Sequence, residues 1–363
     1  MRKFLESFYY FLRLIFHSIK VDIIFYYPQH FNRGEGAKNL LFQPFLNVCQ
    51  NHKISYLVLE EPDYRCNNDR NNDAVPFDFV FYTILLLRKF KFSDIYIGRI
   101  LKKTFLRRLT FNNYIVLSQS MLEFFTGVNS QASFFDLQHG ILHAKKKDYI
   151  KDNKPSNRIL DNNLQILVSG YGYYNILLEA DKSGYFKNNM HVIGTLRVND
   201  VRFHKSSNDN ILVTLQFTED HSISENKELF QELYHFIDDY PRFNFYLRNH
   251  PRFNNDVDIE PLLEKKNVNE APDQLIDCFK LCSIHLTAYS STVFECALFG
   301  IPTIFLSSLQ NKFDIYNREF IYPLENNLTY IETNYSDCIK VLQEWASDFY
   351  IDFDERKFLS IIK

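Results

Sequence analysis

Short apolar runs alternate with longer amphipathic segments along the chain. The apolar runs predict buried strands at residues 21–27, 54–59, 114–117, 133–137, 165–168 and 192–195, and again at 211–215, 243–248, 284–287 and 303–306. Segments with helical spacing lie between them, at residues 39–50, 77–90, 97–109, 225–239, 273–281, 292–299 and 335–349. Strands that alternate with helices are typical of parallel βαβ units. We therefore predict an α/β fold.

A polar segment at residues 206–210 separates two sets of these units. The 363 residues of the chain are too many for one typical core and suit two domains. We predict an N-terminal domain at 1–205, a C-terminal domain at 206–345 and a tail at 346–363, with the last helix or the tail crossing back. Both domains are expected to be Rossmann-like and to face each other across a central cleft. Neither carries the Gly-rich motifs of dinucleotide-binding or P-loop proteins.

The composition of the chain limits the classes of function to be expected. A formal net charge of −3 gives no general reason to expect nucleic-acid binding, and 46% hydrophobic residues fit a globular protein. The six cysteines show neither a CxxC pair nor a disulfide-like spacing. We expect them to be reduced, buried thiols of a cytoplasmic protein.

The first 20 residues interleave aromatic and aliphatic side chains with Arg2, Lys3, Arg13 and Lys20. The run is too interrupted for a transmembrane helix, which needs about 20 apolar residues. A basic amphipathic helix lying on the cytoplasmic face of the inner membrane is one interpretation. A helix packed on its own domain is the other.

The first candidate site follows the strand at residues 243–248. Pro251 restricts His250 to extended conformations, so the imidazole is expected at the carboxyl end of the strand, where open α/β sheets bind ligands. Arg248 and Arg252 flank it, and guanidinium groups match phosphate or carboxylate oxygens. His250 could neutralise or protonate a leaving phosphate. A salt-bridged surface loop is the alternative.

Hydroxyl side chains begin the next helix. Ser290, Ser291 and Thr292 stand where a helix N-terminus attracts anions. Glu295 could accept hydrogen bonds from ribose hydroxyls, or close a capping box with Thr292. We also assign Thr218 to this candidate site.

The second candidate histidine, His139, follows the strand at residues 133–137 in the N-terminal domain. An imidazole with an unperturbed pKa near 6.5 suits general base work. Its neighbours Gln138 and Gly140, together with Arg33 and Glu35 in an earlier loop, are expected to contact an acceptor.

A basic run follows this histidine. Lys145, Lys146 and Lys147 could bind an acidic acceptor, although solvated lysines are the commoner case. Asp136, just before the motif, is expected to point into the sheet or to cap the turn.

The ordered set of motifs resembles bacterial GT-B transferases that build surface polymers. The nearest relatives by this resemblance are the CDP-glycerol glycerophosphotransferases and the CMP-sugar transferases of capsule and lipopolysaccharide synthesis. The resemblance spans about residues 136–306 and rests on Gln138-His139-Gly140, Gly194-Thr195-Leu196-Arg197-Val198-Asn199-Asp200, Arg248-Asn249-His250-Pro251-Arg252, and Ser290-Ser291-Thr292 with Gly300-Ile301-Pro302.

The resemblance implies a role for each motif. His139 corresponds to the proposed base, while His250 and the hydroxyls of Ser290, Ser291 and Thr292 correspond to residues that hold the donor phosphate. It also implies that no metal ion or other cofactor is needed. The sequence has Ala288 where the polyol-phosphate branch usually has Asp, which favours a sugar donor.

We therefore expect a glycosyltransferase that uses a CMP- or CDP-activated sugar and a glycan or glycolipid acceptor. A UDP-sugar GT-B transferase, a polyol-phosphate transferase and a sugar-nucleotide epimerase are the enzymatic alternatives. An inactive glycan-binding subunit of a capsule assembly complex is the alternative from another class.

Overall fold

The computed structural model describes residues 2–32, 34–64, 69–195, 207–250, 253, 257–307 and 310–362. The chain divides into two compact units. Unit 1 comprises Met1–Leu196 and Asp352–Lys363, and unit 2 comprises Arg197–Ile351. The predicted boundary at 205/206 lies nine residues after the first of these boundaries, and the one at 345/346 lies six residues before the second.

In the described part of the chain, unit 1 contains a seven-stranded sheet in the order β3-β2-β1-β4-β5-β8-β9 and a separate two-stranded ribbon, β6-β7. The strands are β1 (Ile19–Pro28), β2 (Tyr56–Glu61), β3 (Val75–Pro76), β4 (Leu109–Leu117), β5 (Ser133–Leu137), β6 (Ile150–Lys151), β7 (Lys154–Pro155), β8 (Gln165–Val168) and β9 (Met190–Val192). All pairs in the larger sheet are parallel. Residues 23–28 of β1 are buried in succession, as expected for a parallel strand covered on both faces.

The helices of this part of unit 1 lie before and between these strands. They are α1 (Arg2–Arg13), α2 (Gln43–Asn51), α3 (Asp78–Lys89), α4 (Asp94–Lys103), α5 (Leu122–Val128), α6 (Asn157–Asp161), α7 (Tyr171–Ala180) and α8 (Phe186–Asn189). α4 and α5 pack closely because both carry glycine at the contact. A methyl group on Gly98 would lie 2.2 Å from the Phe124 carbonyl oxygen, and one on Gly127 would lie 2.2 Å from that of Ile95.

Unit 2, in its described residues, contains a five-stranded parallel sheet in the order β12-β11-β10-β13-β14. Its strands are β10 (Asn210–Thr214), β11 (Asn244–Arg248), β12 (Val268–Glu270), β13 (Ile284–Thr287) and β14 (Thr303–Phe305). Its helices are α9 (Ile223–Asp239), α10 (Glu260–Leu263), α11 (Leu275–Leu281), α12 (Thr292–Leu298), α13 (Gln310–Arg318), α14 (Leu328–Thr333) and α15 (Tyr335–Phe349). Ser222 and Glu225 form a capping box that begins α9.

The end of the chain returns to unit 1. The returning segment contains α16 (Glu355–Ile361), whose Phe358 is fully buried among the core residues of unit 1. The amide of Asp354 donates to the Ile193 carbonyl at 2.8 Å. α15 stays with unit 2, where it packs on α12. Residues 352–363 therefore return to unit 1, and the helix at residues 335–349 does not.

α1 packs on its own unit. Phe11 is fully buried against Phe77, and Phe8 meets the ring of Phe79 on α3 at 5.1 Å. Other apolar side chains of the segment remain exposed, such as Tyr9 at 62% and Phe16 at 68%. In the described residues, no helix combines the length and apolar character needed to cross a bilayer.

Candidate active site

Three adjacent strands of unit 1 end beside one another, and the loops that follow them carry the candidate residues. His30 and Phe31 follow β1, Ser118 and Gln119 follow β4, and His139 follows β5. Because β1, β4 and β5 are parallel neighbours, their carboxyl ends meet at one edge of the sheet. Ligands bind at this edge in open α/β sheets.

Two neighbours hold the imidazole of His139. Its Nε2 lies 3.0 Å from the Ser118 hydroxyl oxygen, and its ring packs edge-on against Phe31 with centroids 5.2 Å apart. The ring is partly exposed, whereas its Nδ1 atom is buried. Nε2 is therefore the nitrogen better placed to reach a substrate.

A second histidine is oriented by a carboxylate. Nδ1 of His30 lies 2.7 Å from Oδ2 of Asp63, which follows β2, and Asp63 is only 7% exposed. The ring of His30 also contacts that of Phe31, with centroids 4.3 Å apart and the ring planes tilted by 40°. Phe31 thus contacts both histidines. A histidine oriented by an acid is an arrangement used for proton transfer in enzymes.

The turn after β4 has an unusual backbone. Ser118, Gln119 and Met121 have φ values of 59°, 51° and 52°. Residues other than glycine seldom adopt this left-handed region, and such strain clusters at functional sites. The conformation places Ser118 beside His139 and Gln119 above the end of β5.

Asp136 on β5 holds this turn in place through a hydrogen bond. It is fully buried, and its Oδ1 accepts a hydrogen bond from the Gln119 amide at 3.1 Å while its Oδ2 accepts one from the Tyr149 hydroxyl. Burial raises the pKa of Asp136 from 3.8 to about 6, although both hydrogen bonds favour the charged form. Asp136 is therefore a structural anchor under the site.

A cavity of about 140 Å³ opens beside His139. It is lined by Ser118, Gln119, His139, Lys146, Asp148, Tyr149 and Arg158. By the same measure a water molecule needs about 10–15 Å³, so the cavity has room for a group of several heavy atoms. Most of its lining side chains are polar or charged.

The two residues flanking His139 have different environments. Gln138 is 8% exposed; its Oε1 accepts from the Ser169 amide at 2.9 Å, and its Nε2 donates to the Gly140 carbonyl at 2.9 Å. These bonds tie the loop to the end of β8 and favour a positioning role for Gln138. A methyl group on Gly140 would meet no protein atom within 4 Å. Arg33 and the side chain of Glu35 lie outside the described residues.

The basic run after His139 is only partly solvated. Lys145 and Lys147 are exposed, but Lys146 is partly buried and donates to the Ile141 carbonyl at 3.1 Å. Burial, with help from the charges of Lys146 and Lys145, lowers the pKa of His143 to about 4. His143 is therefore neutral near pH 7.

In unit 2, β11 ends at the first of the predicted donor residues. Nη1 of Arg248 donates to the carbonyls of Pro272 and Asp273 at 2.8 and 2.9 Å. Part of this guanidinium thus holds the segment after β12. His250 follows β11, partly exposed, and Arg252 lies outside the described residues.

The hydroxyls before α12 build a local turn. The Ser290 hydroxyl oxygen accepts from the Thr292 amide at 3.2 Å and donates to the Thr292 hydroxyl at 3.0 Å. Ser291 is the N-cap of α12, and its side chain makes no capping hydrogen bond. Thr292 is the first residue of the helix, so the predicted capping box of Thr292 with Glu295 is not formed. Glu295 is partly buried in the first turn.

A hydrogen-bond network joins this turn to the loop after β10. His221 contacts the Tyr289 hydroxyl through Nε2 and the Asn226 amide oxygen through Nδ1 at 3.0 Å. Asn226 in turn donates to the Thr218 carbonyl at 3.2 Å. Thr218 is 2% exposed and bonds with Asp220. Thr218 therefore shapes the loop.

The structure groups residues that the sequence analysis did not connect. His30, Asp63, Ser118 and Gln119 were not selected. Ser118 and Gln119 follow β4, the neighbour of β5, whereas His30 and Asp63 follow β1 and β2, the next two strands in the sheet. A polar residue directly after an apolar run was the available signal. His139 lies in unit 1, and His250 and the residues before α12 lie in unit 2.

The structure resembles several solved enzymes at low sequence identity. A putative UDP-N-acetylglucosamine 2-epimerase from Listeria monocytogenes is 12% identical with a TM-score of 0.58, over 95% of this chain and 96% of that one. The wall teichoic acid polymerase TagF, soaked with CDP-glycerol, is 13% identical with a TM-score of 0.56, over 99% and 92%. The UDP-GlcNAc 2-epimerase of Methanocaldococcus jannaschii, in complex with UDP-GlcNAc and UDP, is 13% identical with a TM-score of 0.54, over 95% and 99%.

No protein-family model and no curated protein sequence matches the chain. At these identities, the structural similarities show the fold. The prediction of two Rossmann-like domains of the GT-B type is confirmed.

Proposed function

We propose that this protein is a GT-B glycosyltransferase. It would move a sugar from a CMP- or CDP-activated donor onto a hydroxyl of a capsule, lipopolysaccharide or related surface glycan. The observation that carries the proposal is the position of His139: a partly exposed imidazole, held by Ser118 and Phe31, beside a polar cavity at the ligand-binding edge of a parallel sheet. The GT-B fold, shared with enzymes of nucleotide-activated substrates, is consistent with it.

The proposed chemistry uses His139 as a general base. Its Nε2 takes the proton of the acceptor hydroxyl while the hydroxyl oxygen attacks the anomeric carbon of the donor sugar. The bond between that carbon and the donor phosphate oxygen breaks, and the nucleotide leaves with the electron pair. The Ser118 contact keeps Nε2 oriented until the acceptor hydroxyl comes within reach.

The donor is assigned to unit 2. We place its phosphate near His250, Arg252 and the residues before α12, where the hydroxyl of Ser291 is not used for capping. Cationic and hydroxyl donors there would stabilise the charge that develops on the leaving phosphate. No metal ion is assigned a role, and activity is expected to survive EDTA treatment.

A nucleotide panel tests the donor assignment. Thermal or chemical unfolding would be followed with CMP, CDP, UDP and GDP. The best ligand should add about 2.7 kcal/mol to the free energy of unfolding at 100 times its dissociation constant. We expect CMP or CDP to give the largest effect. A larger effect of UDP would support a UDP-sugar enzyme of the same fold.

An epimerase is the second candidate, because the fold is shared with UDP-GlcNAc 2-epimerases. Nucleotide-sugars would be incubated with the protein in the absence of any acceptor, and the products separated. A new epimeric nucleotide-sugar would identify an epimerase. Transfer of a polyol phosphate to an acceptor would identify a polyol-phosphate transferase. Nucleotide binding by none of the panel would support a glycan-binding subunit.

We also propose peripheral contact with the cytoplasmic face of the inner membrane through the outer surface of α1. Tyr9 on α1 and Phe16, three residues after the helix ends, are exposed, and the exposed side chains of Arg2 and Arg13 begin and end the helix. Such a surface combines apolar insertion with attraction to anionic lipid. Deleting residues 1–18 would also remove the buried Phe11, so point substitutions are the better test.

The double variant Tyr9→Ser, Phe16→Ser should bind vesicles containing anionic lipid more weakly than the wild type in a flotation assay. Tyr171→Ser is the matched control, because Tyr171 is 58% exposed but lies on α7. Equal binding by all three proteins would contradict the membrane assignment.

A further inference from the structure

The cavity beside His139 contains polar groups that its own walls do not satisfy. Gln119 is 2% exposed, lines the cavity, and its Oε1 atom has no hydrogen-bond partner in the described part of the chain. Buried polar atoms are almost always paired. We take the unpaired acceptor of a residue that lines the cavity to indicate a ligand or water that donates a hydrogen bond there.

The same cavity contains an ammonium group with donors to spare. Nζ of Lys146 makes one hydrogen bond, to the Ile141 carbonyl, and forms no ion pair within 4.0 Å among the described residues. An ammonium group has three N–H donors. Two of them are therefore left for solvent or a ligand.

Arg158 lines the same cavity, and most of its guanidinium donors already have partners in the protein. Nε and Nη2 bond to the Glu123 carboxylate at 2.6 and 2.8 Å, and Nη2 also donates to the Gln119 carbonyl at 2.9 Å. These bonds leave Nη1 unused. The ion pair fixes the guanidinium, so Nη1 is a pre-positioned donor.

Two carboxylates near the cavity reduce its positive charge only in part, because one of them already accepts hydrogen bonds from the protein. Asp136 lies beneath it and accepts from Gln119 and Tyr149. Asp148 is exposed and lines the cavity, where its charge offsets part of that of Lys146. The lowered pKa of His143, to which the charges of Lys146 and Lys145 contribute, is consistent with a positive local potential.

We propose that this cavity is a subsite for an acidic sugar residue of the acceptor, which carries an oxyanion near the reacting hydroxyl. The oxyanion, a phosphate ester or a carboxylate, accepts hydrogen bonds from Lys146 Nζ and Arg158 Nη1. A sugar hydroxyl donates to Gln119 Oε1. The reacting hydroxyl then lies on the His139 side of the cavity. The inference rests on the proposed transferase function and adds the charge class of its acceptor.

Three sugars of similar size test the charge requirement: glucose 6-phosphate, glucuronate and glucose. Their binding to the full chain would be titrated by saturation-transfer NMR. We expect at least one acidic sugar to bind at least tenfold more tightly than glucose. The stronger of the two identifies the oxyanion as phosphate or carboxylate. Equal binding of all three would overturn the inference.

Substitutions locate the binding. Lys146→Met should weaken binding of the preferred acidic sugar by about 10- to 100-fold, the range for loss of one charged hydrogen bond. Lys147→Met is the matched control, because Lys147 is exposed and does not line the cavity. Lys146→Arg should retain most of the binding, and the melting temperature of each variant would be checked. Equal effects of Lys146→Met and Lys147→Met would overturn the assignment to this cavity.

The nucleotide panel, run on the same samples, separates the two proposals. Nucleotide binding without preference for an acidic sugar would contradict the subsite and leave the transferase proposal standing. Lys146-dependent binding of an acidic sugar without binding of any nucleotide would support the subsite and contradict the transferase proposal.

Discussion

The histidines of this protein differ in environment, and the environment decides what each can do. His285 is fully buried, and desolvation lowers its pKa to about 3, so it is neutral at physiological pH. His143 is also held neutral. His30 has a carboxylate partner in Asp63, and His139 has a hydroxyl partner in Ser118. The last two are partly exposed and are candidates for proton transfer.

Asp63→Asn tests which of these two histidines acts as the base. If His139 is the base, the variant should keep the ascending limb of the pH–rate profile and lose less than about tenfold in turnover. Its melting temperature should fall, because a charged hydrogen bond contributes about 1.5–3 kcal/mol. A displaced ascending limb in this variant would instead assign the proton transfer to His30.

His139 was accessible to sequence analysis because it follows an apolar run directly and lies in a motif. His30, Asp63 and Ser118 were not, because their proximity depends on the strand order β2-β1-β4-β5, which the chain sequence does not specify. The left-handed turn at Ser118 and Gln119 carries no glycine that would have indicated it. The roles of Arg248 and Thr218 in holding loops likewise depend on tertiary contacts.

At the scale of elements, a polar cluster joins three strands of unit 2. His285 on β13 contacts the hydroxyl of Thr214 on β10 at 2.8 Å and that of Thr303 on β14 at 3.0 Å. Both ring nitrogens are thus used inside the sheet. The cluster requires a neutral imidazole, because desolvation disfavours the charged form.

This cluster should make unit 2 sensitive to acid. The folded state lowers the pKa of His285 from 6.5 to about 3, so the stability it contributes is present above pH 6.5 and is lost as pH falls toward 3. At pH 5 the loss is about 2 kcal/mol, at 1.36 kcal/mol per pH unit.

Urea unfolding between pH 5 and pH 7.5 would measure this loss. His285→Gln should flatten the dependence on pH, and His235→Gln, at an exposed position of α9, should leave it unchanged. Identical pH dependence in the wild type and His285→Gln would contradict this explanation.

Most strands were predictable from their apolar runs, whereas several helices were not. The helix predicted at residues 97–109 ends at Lys103, and β4 already begins at Leu109. Leu106 and Leu109 continue the helical spacing, but they belong to the turn and the strand. α7 was missed because it begins after Gly170, which supplies no side-chain cap. The local pattern of apolar residues does not show where the first of these helices ends or that the second begins.

At the scale of the whole molecule, the chain leaves unit 1 and returns to it at its end. Phe358 on α16 is fully buried and packs against Phe45 with ring centroids 4.9 Å apart. Asn113 donates to the Ile362 carbonyl at 3.2 Å. The returning segment is therefore part of the core of unit 1.

Phe358→Ala should lower the free energy of unfolding by about 3–5 kcal/mol, as truncation of a buried phenylalanine usually does. Arg356→Ala, at an exposed position of the same helix, is the control and should change stability little. Denaturant unfolding of both variants measures the difference. A small effect of Phe358→Ala would mean that α16 is dispensable for unit 1.

The prediction of two Rossmann-like domains followed from the alternation of strands and helices in two sets, and the GT-B type was implied by the resemblance of the motifs. The similar structures are only 12–13% identical to this chain, so very different sequences adopt this architecture. Many side chains together form the pattern of buried positions from which the fold was predicted. The arrangement of a site depends on a few. This is why the fold was predicted more completely than the residues around His139.

The most direct test of the proposed function is the His139→Ala variant, with melting temperature, nucleotide affinity and turnover measured on one sample. The proposal predicts that turnover falls by about 10²–10⁴-fold and the ascending limb of the pH–rate profile disappears. Melting temperature and nucleotide affinity should stay close to those of the wild type, because the donor is assigned to unit 2. A stable His139→Ala protein with full activity would contradict the proposed base and the site built around it.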